Sequence, residues 1–170
     1  MKTNIIKIIG VMVILGGIIF LLNSDRNNKN DNQIKSTTYS ASTLTAPEDS
    51  FDFKTILMKD GNVSHQFKID NQGTEPIVIE KIYTSCMCTN ATVIDMLGKK
   101  LGTFGMQGHG QSSTIKIEVG AGEFITIEAV FDPAAHGPSG VGLIDRSVYL
   151  ETNSAKSPKL ELSFRAMVIR

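Results

Sequence analysis

Near the C-terminal end, "LELSFRAMVI" puts Leu160, Leu162, Phe164, Ala166 and Val168 on one side of an extended chain, and Glu161, Ser163, Arg165 and Met167 on the other. A spacing of two is the period of a strand, and no helix could gather that set onto one face. The same period returns in "VSHQFKIDN", which aligns Val63, His65, Phe67 and Ile69, and in "FITIEAVFD", which aligns Ile125, Ile127, Ala129 and Phe131. Residues 51–58, 77–83, 114–119 and 146–152 read as further strands. Between the strands lie "KDGN", "NQGTEP", "GAGE" and "TNSAKSP", all rich in turn formers. No stretch after residue 50 carries a helical apolar stripe. Seven short half-buried strands in about 120 residues predict an all-β, immunoglobulin-like antiparallel sandwich over residues 51–170.

What precedes this pattern cannot join it. An apolar run from Ile5 to Leu22 is interrupted only by Lys7. As a helix, roughly 18 residues span about 27 Å, the thickness of a thin bilayer core. Lys7 lies close enough to the start for its ammonium to reach the interface. "NSDRNN" follows without a small-x-small cleavage pattern or a cysteine, so residues 1–22 are expected to form an uncleaved transmembrane signal-anchor; a cleaved signal peptide, which would leave the domain secreted, is the alternative. Lys2 and Lys7 ahead of the run tip the charge balance slightly toward a cytoplasmic N-terminus. The expected home is the cell membrane, single-pass, with the domain outside the cytoplasm, in the periplasm or at the cell surface. Residues 23–50 are rich in Asn, Ser, Thr and Asp and poor in large apolar residues, which predicts a flexible polar linker.

Composition narrows the function. Lysine plus arginine equals aspartate plus glutamate at 17 each, and no basic tract interleaves with aromatics, so nucleic acid is not an expected partner. Phosphate loops, Ser–His–Asp orders and paired carboxylates at catalytic spacing do not occur. An enzyme is therefore not expected.

The strings "FDFKTI", "GNVSHQFKIDNQG", "YTSCMCTNA", "VGAGEFITIEAVFDP", "RSVYLETN" and "LELSFRAMV" together resemble the bacterial family called "domain of unknown function 1573". That family is an immunoglobulin-like module related to the Hydin-type domains of eukaryotic cilia. The resemblance implies a fold and an extracytoplasmic habit, and it brings no activity. Two insertions depart from the family pattern: residues 96–113, holding Met106 and His109, and residues 133–145, holding His136. Met87 also stands in the glycine slot of the family's usual S-C-G-C-T, which here reads S-C-M-C-T.

Cys86 and Cys88 are the chain's two cysteines. Placed at the end of the 77–83 strand, they share one end of a sandwich with both inserted loops. Thiolate, thioether and imidazole are the donors that soft and borderline metals prefer. Cys86, Cys88, Met106, His109 and His136 are therefore the candidate ligands, with copper(I) the first expectation and zinc, in a Cys₂His₂ set, the second. On an extended strand the two sulfurs would face one way and Met87 the other. This convergence requires that 91–96 not be a full strand carrying His109 to the far end. Alternatives stand beside it: a disulfide or redox pair, or small buried side chains at a corner that serve only the fold. In that last case the domain is a structural module recruiting a protein partner by strand addition. His65, in phase with core residues, is expected to be packed, and Asp145 with Arg146 to form an ion pair pinning the second loop.

Overall fold

The computed structural model describes residues 39–109 and 113–170. Among them ten strands occur: β1 (Leu44–Thr45), β2 (Ser50–Leu57), β3 (Val63–Asn71), β4 (Ile77–Thr84), β5 (Thr89–Ile94), β6 (Lys100–Phe104), β7 (Thr114–Val119), β8 (Phe124–Phe131), β9 (Gly142–Thr152) and β10 (Lys159–Ile169). They form two five-stranded sheets, ordered β1-β3-β8-β5-β6 and β2-β10-β9-β4-β7. Each of the seven expected strands is present. Alternation decides which face each one buries. Phe67, Ile69, Ile125 and Ile127 from the first sheet meet Ile79, Ile82, Leu150, Leu162 and Phe164 from the second in one core. Phe131 and Phe164 touch across it, with ring centroids 5.7 Å apart. Each such side chain contributes about 1.5–3 kcal/mol through burial, so the two inner faces account for the β-sandwich.

Four expectations need correction. β1, β5 and β6 are additional strands, and the first insertion supplies β6, which pairs antiparallel with β5. The second sheet is mixed, because β2 runs parallel to β10 from Ser163↔Ser50 to Ile169↔Leu57. β2 carries one extra residue against β10 between Asp52 and Thr55, and Lys54 there adopts φ 61°, with its N–H bonded to Asp52 Oδ1 at 2.8 Å. β9 begins at Gly142, so the second inserted loop is shorter than its sequence suggests. Finally, the linker expected over 23–50 does not extend to its far end. Ser40 N–H donates to Asn153 O at 3.0 Å, Ser154 Oγ donates to Ser42 O at 2.6 Å, and Leu44 is buried. Backbone pairing and serine hydroxyls hold this segment where large apolar residues are scarce. The transmembrane helix expected over 1–22, and the linker up to residue 38, lie outside the described residues. Among those described, no helix is long and apolar enough to cross a membrane.

His65 is packed, as its phase implies. Its ring stacks on Phe51 at 3.7 Å and meets Phe67 edge-on, while Nε2 lies 3.0 Å from Glu48 Oε2. Asn71, which closes the same strand, holds the turn beyond it. Its amide N–H groups are shared among Glu75 O, Val119 O and Gly120 O at 2.9–3.1 Å, and its Oδ1 accepts from Gly73 N–H at 3.1 Å. Gly73 must lack a side chain here, since a Cβ would collide with Ser42 Oγ. On the outer face, Lys81 Nζ donates to Glu151 Oε2 at 2.8 Å and Tyr83 Oη to Oε1 at 3.1 Å. The Lys81 hydrogen bond is the main cause holding the Glu151 carboxyl below the ordinary carboxylate range.

Asn71→Ala leaves carbonyls without donors in a buried turn, each hydrogen bond contributing about 1 kcal/mol. Urea unfolding of the full chain should show a loss of about 2–4 kcal/mol, and a loss below about 1 kcal/mol would contradict this account. Because the Glu151 carboxyl is depressed in the folded state, its contribution is present above the unfolded carboxylate pKa and disappears as pH falls through the folded one. Glu151→Gln should therefore lower the melting temperature at neutral pH and leave it nearly unchanged in acid.

Candidate functional site

β4 ends at Thr84 in one sheet and β5 starts at Thr89 in the other, so the cysteines occupy the crossing. Ser85 N–H donates to Ser147 O, and Ser147 N–H to Ser85 Oγ, both at 2.9 Å, so β9 anchors the chain as it leaves β4. Thr89 N–H closes a turn on Cys86 O at 3.1 Å, and the Thr84 hydroxyl is shared between Cys86 O and Thr89 O. Asp132 N–H donates to Cys88 O at 2.9 Å, tying the landing point to the end of β8. The extended geometry expected for these cysteines is thus replaced by a turn. Cys88 enters the core at 2 % exposure, Cys86 is half-buried, and Met87 projects at 54 % exposure. The turn brings Cys86 and Cys88 Sγ to disulfide-bonding distance, with Cα atoms 5.2 Å apart. Cys88 N–H also approaches Cys86 Sγ at 3.3 Å.

His136 reaches the pair from the loop after β8. Asp132 Oδ1 accepts Ala134 N–H and Ala134 O accepts Gly137 N–H, both at 2.8 Å, and Gly137 takes φ 56°, a left-handed value that suits glycine. A short 3₁₀ turn over Gly137–Gly140 follows, with Ser139 Oγ donating to His136 O at 2.7 Å. The result sets His136 Nε2 3.2 Å from Cys86 Sγ. One ligand atom from each of Cys86, Cys88 and His136 then lies within 4.8 Å of the others.

The first inserted loop joins this end by a route that the strand count alone does not reveal. β5 runs away from the cysteines, the Asp95–Lys99 turn reverses the chain, and β6 returns. Two extra strands cancel in parity. Thr84 N–H donates to Gly105 O at 3.2 Å, and Met106 bridges Thr84 two residues before Cys86. His109, however, is exposed in the turn that its N–H closes on Met106 O, and it stands outside the Cys86–Cys88–His136 group.

Arg146 was not among the expected ligands, yet it faces the site. Instead of pairing with the Asp145 carboxylate, its Nε–H donates to Cys88 Sγ at 3.2 Å and its Nη1 to Asp145 O at 2.7 Å. The signal lies in phase: Arg146 alternates with the buried Ile144, Val148 and Leu150 of β9, so its side chain starts on the inner face. A groove of about 330 Å³ opens at His136 and Arg146, the two side chains that contact the sulfurs, and is lined also by Val141, Leu143 and Ile144 among others.

Residues 44–99 match the family model described as "Protein of unknown function (DUF1573)", which carries the resemblance through the cysteine turn. Among solved structures, a protein of unknown function from Porphyromonas gingivalis W83 is similar at 12% identity and a TM-score of 0.55, covering 78% of this chain. This chain spans about half (51%) of that one. The PapD-like domain 7 of human CEP192 aligns at 16% identity with a TM-score of 0.46, covering 81% of this chain and 93% of that domain. At these identities the likeness concerns the fold alone. No curated protein matches the chain.

The geometry predicts one intramolecular link. Mass spectrometry of the air-oxidised chain after alkylation should find neither cysteine modified, and both modified when alkylation follows reduction. Recovery of alkylated cysteines without reduction would contradict the disulfide.

Proposed function

We propose that this chain, within the DUF1573 family that its sequence resembles, is a membrane-tethered, extracytoplasmic immunoglobulin-like domain that binds a soft metal ion in its dithiol state, copper(I) first and zinc second. The apolar run from Ile5 to Leu22 would supply the tether. The observation that carries the reading is the meeting of Cys86, Cys88 and His136 donor atoms within 4.8 Å of one another. Two thiolates and an imidazole form a soft-to-borderline set, and thiols ligate only when deprotonated and unjoined. Disulfide and metal complex are therefore alternative states of one pair. Met106 is the fourth donor proposed for copper, because its backbone bridges Thr84 beside the turn. A closed Cys₂His₂ zinc site would need His109 to move in from its exposed turn, which places zinc second. The role is binding rather than turnover: with His136 counted as a ligand, the cluster holds no separate general base for a metal-bound water.

A second reading has its own support. Cys88 is buried in the core and its carbonyl is held by Asp132, so the joined cysteines could serve the corner alone, in a module that recruits a protein through its sheet edges.

Anaerobic loading of the reduced full chain with copper(I), followed by metal analysis, separates the two. The metal reading expects an equimolar ion in the wild type and none in the Cys86→Ser, Cys88→Ser double variant. Loss of groups that merely orient a ligand costs 10–100-fold in affinity, so His136→Ala should weaken binding by at least roughly tenfold. Equal copper in wild type and double variant would remove the metal reading and leave the structural one.

A further inference from the structure

The two sulfurs do not occupy equivalent surroundings. Cys86 is half-buried beside the projecting Met87, with His136 Nε2 at 3.2 Å. Cys88 is 2 % exposed and takes the Nε–H of Arg146 at 3.2 Å. Among the described residues Arg146 makes no ion pair with a carboxylate. A guanidinium that starts on the inner face of a sheet, here half-buried, is stabilised by an anionic partner, since desolvating a cation without one is costly. A disulfide sulfur is a poor acceptor, whereas a Cys88 thiolate would answer the guanidinium with a full charge and a charge-assisted hydrogen bond. The fold thus holds a counter-charge ready for the reduced state.

We propose that Cys86–Cys88 is an exchanging disulfide, reduced stoichiometrically by an external dithiol, in which Cys86 is the sulfur attacked and Arg146 stabilises Cys88 as the leaving thiolate. This rests on the same cysteine pair as the metal reading but not on a metal being bound. One thiolate of the dithiol attacks Cys86 Sγ from the exposed side. The donor-sulfur–Cys86 bond forms, the Cys86–Cys88 bond breaks, and its electron pair stays on Cys88 Sγ beside Arg146. The donor's second thiolate then attacks its own first sulfur in the mixed disulfide. The donor closes to a disulfide and Cys86 leaves as a thiolate beside His136. Two electrons pass from donor to protein, and the donor's two thiol protons go to solvent or to His136 Nε2. Attack in the opposite sense is blocked, because Cys88 lies in the core. The reaction class that must meet this domain is therefore a dithiol reductant able to present a thiolate at the His136–Arg146 groove. Reduction frees the two thiolates and leaves His136 beside them.

The test uses the oxidised full chain with dithiothreitol as the dithiol, the reaction being quenched by acid and counted by alkylation and mass spectrometry. Arg146→Met should slow reduction at least roughly tenfold, and Arg146→Lys should recover much of the rate, since exchange rates follow the stability of the leaving thiolate. Misfolding cannot mimic this result, because an exposed disulfide reacts faster rather than slower. With glutathione in place of the dithiol, the trapped mixed disulfide should lie on Cys86. An unchanged rate in Arg146→Met, or an adduct found mainly on Cys88, overturns the proposal. A wild type that exchanges in this way but takes up no copper would overturn the metal reading alone. One that takes up copper but is indifferent to Arg146 would overturn this proposal alone.

Discussion

The chain passes from one sheet to the other within the few residues between Thr84 and Thr89, and both sheets depend on how that passage is made. β4 lies between β9 and β7, and β5 between β8 and β6, so a displaced crossing would disturb an interior strand of each sheet rather than an edge strand. Backbone groups cannot stay unpaired while traversing the end of a core. The turn meets that demand from every side: Thr84 with its hydroxyl, Ser85 with β9, Cys88 with Asp132 beyond β8. A disulfide between residues two apart closes almost no loop, so its effect on unfolded-chain entropy is small. What fixes the corner is the hydrogen bonding around it. The sulfurs are consequently free to be chemistry rather than staple.

Much of the fold could be read directly from alternation. The strands at 63–71, 124–131 and 159–169 announce their buried faces through Phe67, Ile127 and Phe164, and the structure buries those residues. Reading failed where pattern is weak or absent. β6 is "KLGTF", with a glycine at its centre and little apolar content, and it is a strand because β5 offers it a partner. β1 is two residues long and held by backbone pairing with β3. Parallel pairing of β2 with β10 leaves no mark in either strand's own sequence, since direction is a property of the pair.

The candidate site was legible in part. Cys86, Cys88 and His136 meet because strand parity sends them to one end, and parity can be counted from sequence. The count sent the Met106 loop to the same end only if no strand lay over 91–96; β5 breaks that condition, and it is β6 that returns Met106 to Thr84. It said nothing about whether a side chain at that end would turn inward, and His109 does not join the group. Arg146 was misread because Asp145 stands next to it. On a strand, adjacent residues face opposite sides, so the pair that looked complementary in sequence was the pair least able to meet. The phase shared with Ile144 and Val148 was the better guide.

That arginine also changes how the cysteines should be weighed. A pair of thiols that served only to fill a corner would be best surrounded by apolar atoms, since a guanidinium brought to the end of a core carries a desolvation cost with no gain in packing. Here each sulfur has its own nitrogen at 3.2 Å, an imidazole for the accessible one and a guanidinium for the buried one. Neither contact does much for a disulfide, whereas the guanidinium favours a thiolate, as does the imidazole whenever its Nε2 carries the proton. The oxidised pair thus sits in surroundings better matched to its reduced form. That mismatch is what supports the two proposals made for this corner, a disulfide in the resting chain and a pair of thiolates, open to a metal or to another thiol, once it is reduced.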